Sequence, residues 1–317
     1  LSKLAEAKHQ KKEELAEYIQ ETTGITVSPN AIFDVQIKRL HAYKRQLLNL
    51  MHILKLYFDL KDNPELDIHP RVFIFGAKAA PSYTYAKAII KAINEVAKMI
   101  NNDESIQDKI KIVFLPNYNV SLAERIIPAA DVSEQISLAS KEASGTSNMK
   151  LMLNGAVTVA TLDGANVEIR DAVGDENICI FGLTEEEVYA YYENREYYSQ
   201  QIYDDNPIIR RVVDAFVDGS IPNIGYEGRE IYDSLLRYND EYFLLRDFDD
   251  YCRAQERIDA TYKDQSLWRK ISLVNIANAG RFSSDDTVRL YAEDIWQIEP
   301  IFAHTEKEGT SNVFNPF

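Results

Sequence analysis

Apolar positions in this chain change their spacing several times, and each change marks an element. Residues 4–21 carry apolar positions at helical spacing among many Lys and Glu, which predicts an amphipathic helix. Phe33, Val35 and Ile37 then alternate with Asp34 and Gln36, the period of two of a strand. A helix is expected from about Tyr43 to Leu60, and Arg71-Val72-Phe73-Ile74-Phe75 reads as the second strand. Gly76 breaks it, and Pro81 sits where a helix reaching about Asn101 can begin. Lys109 to Leu115 is the third strand, Ser121 is the expected cap of a short helix through Ile127, and Ala130 to Ile136 has room for a short fourth strand. A small-residue turn at Gly145 opens a helix carrying Lys150, followed by strands over 156–162 and Asn177–Phe181. From about Thr184 only helices are predicted. One ends at Gly280, and Ser283 or Ser284 caps another that reaches Trp296, before an irregular stretch from His304 to Phe317.

Strands alternating with helices predict an α/β fold, a parallel Rossmann-like sheet with helices on both faces. The expected sheet part is about 30–182 and the helical part about 184–298 of one domain, residues 1–300, with 301–317 as an irregular tail. In such open sheets ligands bind beyond the carboxyl ends of the strands. Three candidate anion-binding elements fall there: Lys38 and Arg39 after the first strand, Lys78 after the second, and the Gly145 turn before the lysine helix.

The chemistry concentrates in Glu142-Ala143-Ser144-Gly145-Thr146-Ser147-Asn148-Met149-Lys150. Unpaired backbone N–H groups at a helix start attract anions. Thr146 and Lys150, spaced i and i+4, share a helix face. Phosphate on the turn and an aldehyde on the lysine is the pairing that pyridoxal phosphate requires. A lysine on a short amphipathic helix is otherwise a solvated charge over a buried stem. Here Met149 to Leu153 is apolar apart from Lys150, and Ala156 to Thr161 reads as a buried strand. The expectation is therefore a desolvated amine of lowered pKa.

Composition narrows the partners. The 317 residues hold 50 Asp plus Glu against 35 Lys plus Arg, a net charge of −15, so the bulk field repels nucleic acid and anionic membranes. Any anion site must then be a local basic pocket. Two cysteines without metal spacing suit a reducing, cytoplasmic setting rather than a disulfide scaffold. No apolar run reaches the roughly 18 residues that span a bilayer. The five histidines show no ligand spacing, His41 reads as packing, and Asp247, Asp249 and Asp250 read as helix caps. The tyrosines from Tyr189 to Tyr203 have the chemistry to stack on sugars, but half-buried helix packing is the preferred reading.

The run Glu142 to Lys150, continued by Leu151-Met152-Leu153-Asn154-Gly155, resembles the pyridoxal-phosphate signature of the α-glucan phosphorylases. Phe33 to Asn49, Gly76 to Pro81 and Val120 to Asp131 are similar to further blocks of that family. The likeness extends from the first helix to about Pro300 and covers only the C-terminal half of such an enzyme. With a first residue that is not Met, this implies part of a larger polypeptide whose N-terminal catalytic domain lies outside the sequence. The implied fold is the C-terminal domain of a two-domain B-type glycosyltransferase architecture.

The resemblance also implies roles. Lys150 would carry pyridoxal 5'-phosphate through a Schiff base. Lys38, Tyr118, Gly145, Thr146 and Ser147 would hold the cofactor's phosphate, and Arg39 and Lys44 the substrate phosphate. Glu142, Ser144 and Gly145 would receive the glucosyl hydroxyls. Asn119 stands where some relatives have Arg, and Ser147 where many have Gly. The implied reaction is phosphorolysis of terminal α-1,4-linked glucose by orthophosphate, giving glucose 1-phosphate. The isolated chain is expected to be inactive, and the parent enzyme a homodimer. A sugar-nucleotide-dependent glycosyltransferase domain and a non-catalytic glucan-binding module are the alternatives.

Overall fold

The structure, a computed structural model, describes residues 1–106 and 108–299, so the expected tail at 301–317 lies outside the described residues. Residues Leu1–Ala279 form one unit and the segment from Gly280 a second. In chain order the first unit begins with α1 (Ser2–Thr23), β1 (Ile32–Ile37), α2 (Gln46–Asp62), β2 (Arg71–Gly76), α3 (Thr84–Asn101) and β3 (Ile110–Leu115). It continues with α4 (Val120–Ala129), β4 (Val132–Gln135), α5 (Ser147–Leu153), β5 (Val157–Ala160), α6 (Ala165–Val173) and β6 (Cys179–Ile180). After the sheet come α7 (Glu185–Asn194), α8 (Ser199–Asp205), α9 (Pro207–Asp214), α10 (Gly225–Leu235), α11 (Leu244–Lys263) and α12 (Gln265–Asn278).

The strands pair in the order β3-β2-β1-β4-β5-β6, and every pairing is parallel. This is the predicted α/β sheet. Its order reverses between β1 and β4, where a crevice opens at the carboxyl edge. Helices cover both faces. Phe33, Val35, Ile37, Val72, Ile74, Val113 and Leu115 pack with α1 and α4, while Phe73, Phe75, Ile110 and Ile112 pack with α2 and α3. Along α3, Ala86, Ile89, Ile93, Val96 and Ile100 recur at three- and four-residue spacing and are all buried, so periodicity and packing agree.

Differences from expectation have physical causes. The period of two in β1 is real, but all six of its residues are buried. Its polar positions face protein: Asn49 Nδ2 donates to Gln36 Oε1 at 3.0 Å, and Arg71 Nη1 pairs with Asp34 Oδ2 at 3.4 Å. Expected as one helix from Tyr43, the next segment is a 3₁₀ turn, Ala42–Lys44, then Arg45 in the left-handed region (φ 56), then α2. Asn119 rather than Ser121 caps α4, accepting the Leu122 N–H at 3.0 Å. The sequence reading passed over α6. Its buried face includes Asn166 beside Ile169 and Val173, which weakens the apolar period. The last strand is shorter than expected, two residues, Cys179 and Ile180, paired with β5.

Asp247, Asp249 and Asp250 do not cap a helix. They lie inside α11, whose N-cap position is Phe243. Asp247 accepts the Leu183 N–H at 3.0 Å, Asp250 accepts the Gly182 N–H at 2.6 Å, and Asp249 accepts from Asn206. In this way α11 fastens the loop that leaves β6. Thr184 opens α7 with a reciprocal cap to Glu187, as a helix start requires.

In the second unit Ser283 caps α13 (Ser284–Leu290), as its sequence suggests, and a π-helical turn, Tyr291–Trp296, follows with the rings of Tyr291 and Trp296 stacked at 5.6 Å. No helix among the described residues is long and apolar enough to cross a membrane.

Arg45 is the largest fully buried side chain. Its Nε donates to the Ile136 carbonyl at 2.8 Å, and its Nη1 pairs with Asp247 at 2.7 Å. Removing one partner of a buried pair strands a charge, at a cost of about 3–5 kcal/mol. Asp247→Ala is therefore expected to lower the urea-unfolding free energy by about that amount; a loss within 1 kcal/mol would show the pair to be dispensable.

Candidate functional site

A cleft of about 720 Å³ opens at the carboxyl edge of the sheet. Three segments line it: the β1 exit from Ile37 to Lys44, the turn after β3 from Tyr118 to Ala123, and the stretch from Glu142 to Lys150. Of the residues singled out in the sequence, Lys38, Arg39, Lys44, Tyr118, Glu142, Ser144, Gly145, Thr146, Ser147 and Lys150 lie on its wall. Lys78 does not line the cleft and is exposed, which fits a surface lysine after a tight turn.

Backbone geometry explains how short side chains meet here. Gly76 closes β2, and a Cβ there would lie 3.0 Å from Ile37 and 3.3 Å from the Tyr118 ring. Its absence lets Tyr118 lie across the sheet edge. Burial pushes the Tyr118 hydroxyl above its ordinary pKa. Gly145 sits at φ +89, a conformation side chains resist, and forms the turn before α5.

The charges are arranged around Glu142. Lys44 Nζ donates to its Oε2 at 2.6 Å, Ser137 Oγ donates at 2.9 Å, and Lys38 Nζ stands 3.8 Å away. Burial works to raise the Glu142 pKa, but the Lys44 hydrogen bond and the two lysine charges outweigh it and hold the carboxyl below its usual value. At Lys44 burial is again the largest single influence and works to lower the pKa, but the Glu142 bond and charge together with those of Tyr43 outweigh it and hold that ammonium above its ordinary range. Lys38 behaves differently. Burial pushes it down to about 8, with the charge of Lys44 acting in the same direction and Glu142 opposing. His41 lies between Tyr43 and Tyr83, with ring centroids 4.7 and 5.1 Å away, so it packs beside the site as expected.

The expectation of a buried Lys150 is overturned. The buried face of α5 is Asn148, Leu151 and Met152, at helical spacing, and Lys150 points off that face. Its side chain is exposed and reaches the cleft. The desolvated amine is Lys38 instead. Thr146 occupies the N-cap position of α5, and its carbonyl accepts the Lys150 N–H at 3.2 Å. Arg39 is exposed on the wall. Gln135 Nε2 donates to the Ser147 hydroxyl at 3.3 Å, which fixes that oxygen.

Sequence reasoning missed Ser137, Gln135 and the stretch Asp163 to Asn166. The Asp-Gly dipeptide at 163–164 is a turn signal that was available. Its reach back to Glu142 is a tertiary fact. Asp163 Oδ2 accepts the Glu142 N–H at 2.6 Å.

Fold and cleft together define an α/β domain with cations and the exposed lysine Lys150 gathered at the carboxyl edge of its sheet, the class of architecture in which phosphate-bearing ligands are held. Within that class the chain belongs to the carbohydrate phosphorylase family, whose sequence model matches residues 1–298. It is 55% identical over 294 residues to a glycogen phosphorylase of Bacillus subtilis, covering 93% of this chain and 37% of that protein. The glycogen phosphorylase of Synechocystis is 48% identical over 301 residues, covering 94% of this chain and 35% of the relative. The muscle form from Oryctolagus cuniculus is 42% identical over 297 residues, with the same two coverages. The chain thus spans little more than a third of the length of these relatives.

The low pKa of Lys38 generates a prediction with a definite sign. Above about pH 8 Lys38 gives up its proton, while Lys44 keeps its own. Phosphate affinity, measured by calorimetry, should fall as pH rises through this range, by up to about tenfold per unit. Lys38→Met should weaken binding at pH 7 and flatten the dependence. An unchanged profile in that variant would remove Lys38 from the anion site.

Proposed function

We propose that this chain is the cofactor- and phosphate-binding part of an α-1,4-glucan phosphorylase. The parent enzyme would cleave terminal glucose from glycogen or maltodextrin with orthophosphate, giving glucose 1-phosphate. One observation carries this reading. A single cleft gathers a free amine on Lys150, three cations on Lys38, Arg39 and Lys44, and a carboxylate on Glu142. Neither a sugar-nucleotide-dependent glycosyltransferase domain nor a non-catalytic glucan-binding module needs an amine one turn after an anion-receptive loop.

The donor set fits pyridoxal 5'-phosphate. Lys150 Nζ would be the amine that holds its aldehyde. The Gly145–Ser147 turn, Tyr118 and Lys38 would hold its phosphate. When bound, this group supplies a phosphate whose second ionisation, at about 6, suits proton transfer near neutral pH.

The remaining roles belong to side chains. Arg39 presents a planar fork to the orthophosphate oxygens, and Lys44 a point charge. Crowded cations are required because two phosphates brought together repel by several kcal/mol at protein-like dielectric. Lys44 is bound to Glu142 in the structure, so an arriving anion competes with a carboxylate for it. An anion that draws Lys44 away frees Glu142 to accept glucosyl hydroxyls, helped by Ser144 and Gly145. The phosphate and sugar subsites are thereby linked through one ion pair.

The chain covers about a third of its relatives' length. The rest of the sugar pocket and the glucan path are assigned to the parent enzyme outside this sequence, and phosphorolysis by this chain alone is expected to be undetectable. Residues 1–300 are read as the cofactor and phosphate domain of a homodimeric parent.

Absorbance tests the reading. Added pyridoxal phosphate should give a bound spectrum that borohydride fixes, and Lys150→Ala should abolish it. An unchanged spectrum in the variant, or a nucleotide that binds in the cofactor's place, would overturn the assignment.

A further inference from the structure

Asp163 lies one loop behind the cleft and does not line it. It is 7% exposed, yet it makes no ion pair among the described residues. Its carboxylate is committed to backbone. Oδ1 accepts the Ser140 N–H at 3.1 Å, and Oδ2 accepts the N–H groups of Lys141 at 3.1 Å and Glu142 at 2.6 Å. Three successive amides converging on one anion form a nest closed by a fixed charge. The first of those residues, Ser140, stands at φ +79, a conformation that non-glycine residues adopt only when their surroundings hold them there.

The next residues grip the same loop from its carbonyl side. Ala165 N–H donates to the Ser144 carbonyl at 2.9 Å. Gly164, at φ +52, leaves the space this approach needs, since a Cβ there would lie 2.6 Å from the Ser144 oxygen and 2.8 Å from that of Glu142. Asn166 is linked to Asn148, beneath the Gly145 turn, and donates to the carbonyls of Gln135 and Thr161. The loop after β5 therefore fixes Glu142 by its amide and through its neighbours, the Ser144 carbonyl among them.

The geometry points to Asp163 as a positioning residue that sets the reach of the Glu142 carboxylate into the cleft and so the sugar hydroxyls it can accept. This rests on the reading of Glu142 as the sugar acceptor. Two consequences separate it from a merely structural role. Loss of the Asp163 charge frees the amides of residues 140–142 in preference to the rest of the fold. The functional cost of that loss runs through Glu142 alone.

The experiment is a double-mutant cycle of Asp163→Asn and Glu142→Gln in the full-length polypeptide carrying this sequence, with hydrogen exchange of the peptide spanning 138–145 followed by mass spectrometry. Asp163→Asn is expected to speed exchange in that peptide and to lower kcat/KM for glucose 1-phosphate by about a hundredfold, the scale of a misplaced binding group. In the Glu142→Gln background the same change should cost less than about threefold. Asp163→Glu keeps the charge and should restore exchange protection, which covers the case in which the asparagine variant fails to fold. Losses that multiply across the cycle, or unchanged exchange at residues 140–142, would overturn the inference. If the wild-type polypeptide binds no pyridoxal phosphate, the functional reading falls, and the exchange arm still decides whether Asp163 holds the Glu142 loop.

Discussion

The carboxyl edge of this sheet depends on a guanidinium with no access to water. Arg45 is wholly buried at the point where the β1 exit turns into α2, and it adopts a left-handed backbone conformation there. A charge in that position needs an opposite charge and hydrogen-bond acceptors to offset its lost hydration. Asp247 on α11 supplies the charge, and the carbonyl of Ile136 after β4 an acceptor. One side chain thus ties the segment bearing Lys38, Arg39 and Lys44 to the strand exit that leads to Glu142, and both to the helical part. Leu138 N–H bonded to the Tyr43 carbonyl at 2.9 Å reinforces the same junction.

A protein with a net charge of −15 can still present a cationic cleft because some of its carboxylates are committed elsewhere. Asp163, Asp247 and Asp250 accept loop amides near the strand exits, and Asp131 accepts the Phe33 N–H while pairing with Lys12. Anions used as backbone acceptors do not face the cleft. Glu142 is the exception on the cleft wall, and its partners Lys44 and Lys38 pull its pKa down and keep it ionised. The same carboxylate raises the pKa of both lysines, yet their net shifts have opposite signs. Burial is the largest influence on both, but Lys44 is directly bonded to Glu142 at 2.6 Å and gains from Tyr43 as well, which together outweigh it, whereas Lys38 is deeper and 3.8 Å from Glu142, so desolvation prevails.

Much of this was legible in the sequence, for reasons that can be located. The alternation at Phe33–Ile37, the apolar run of Arg71–Phe75 and the succession of strands and helices pointed to the parallel α/β sheet, because strand-forming side chains and helical periods leave a strong local signature. The cleft residues could be named because the anion turn, Lys150 and the basic cluster after β1 are each contiguous motifs. The single-helix reading from Tyr43 failed at Arg45, since a left-handed break stabilised by a residue 202 positions away leaves no local trace.

What the chain determined unaided is the inventory: which strands alternate, where turns can form, and which amines and carboxylates exist. Tertiary structure decided which of them lose water and which find partners. The apolar neighbours of Lys150 suggested a buried amine, yet the face of α5 turned to the core is Asn148, Leu151 and Met152, and burial fell on Lys38. Asp163, an ordinary turn residue by sequence, became the anchor of the Glu142 loop. Desolvation and hydrogen bonding depend on what packs against a group from distant segments, and no spacing along the chain encodes that.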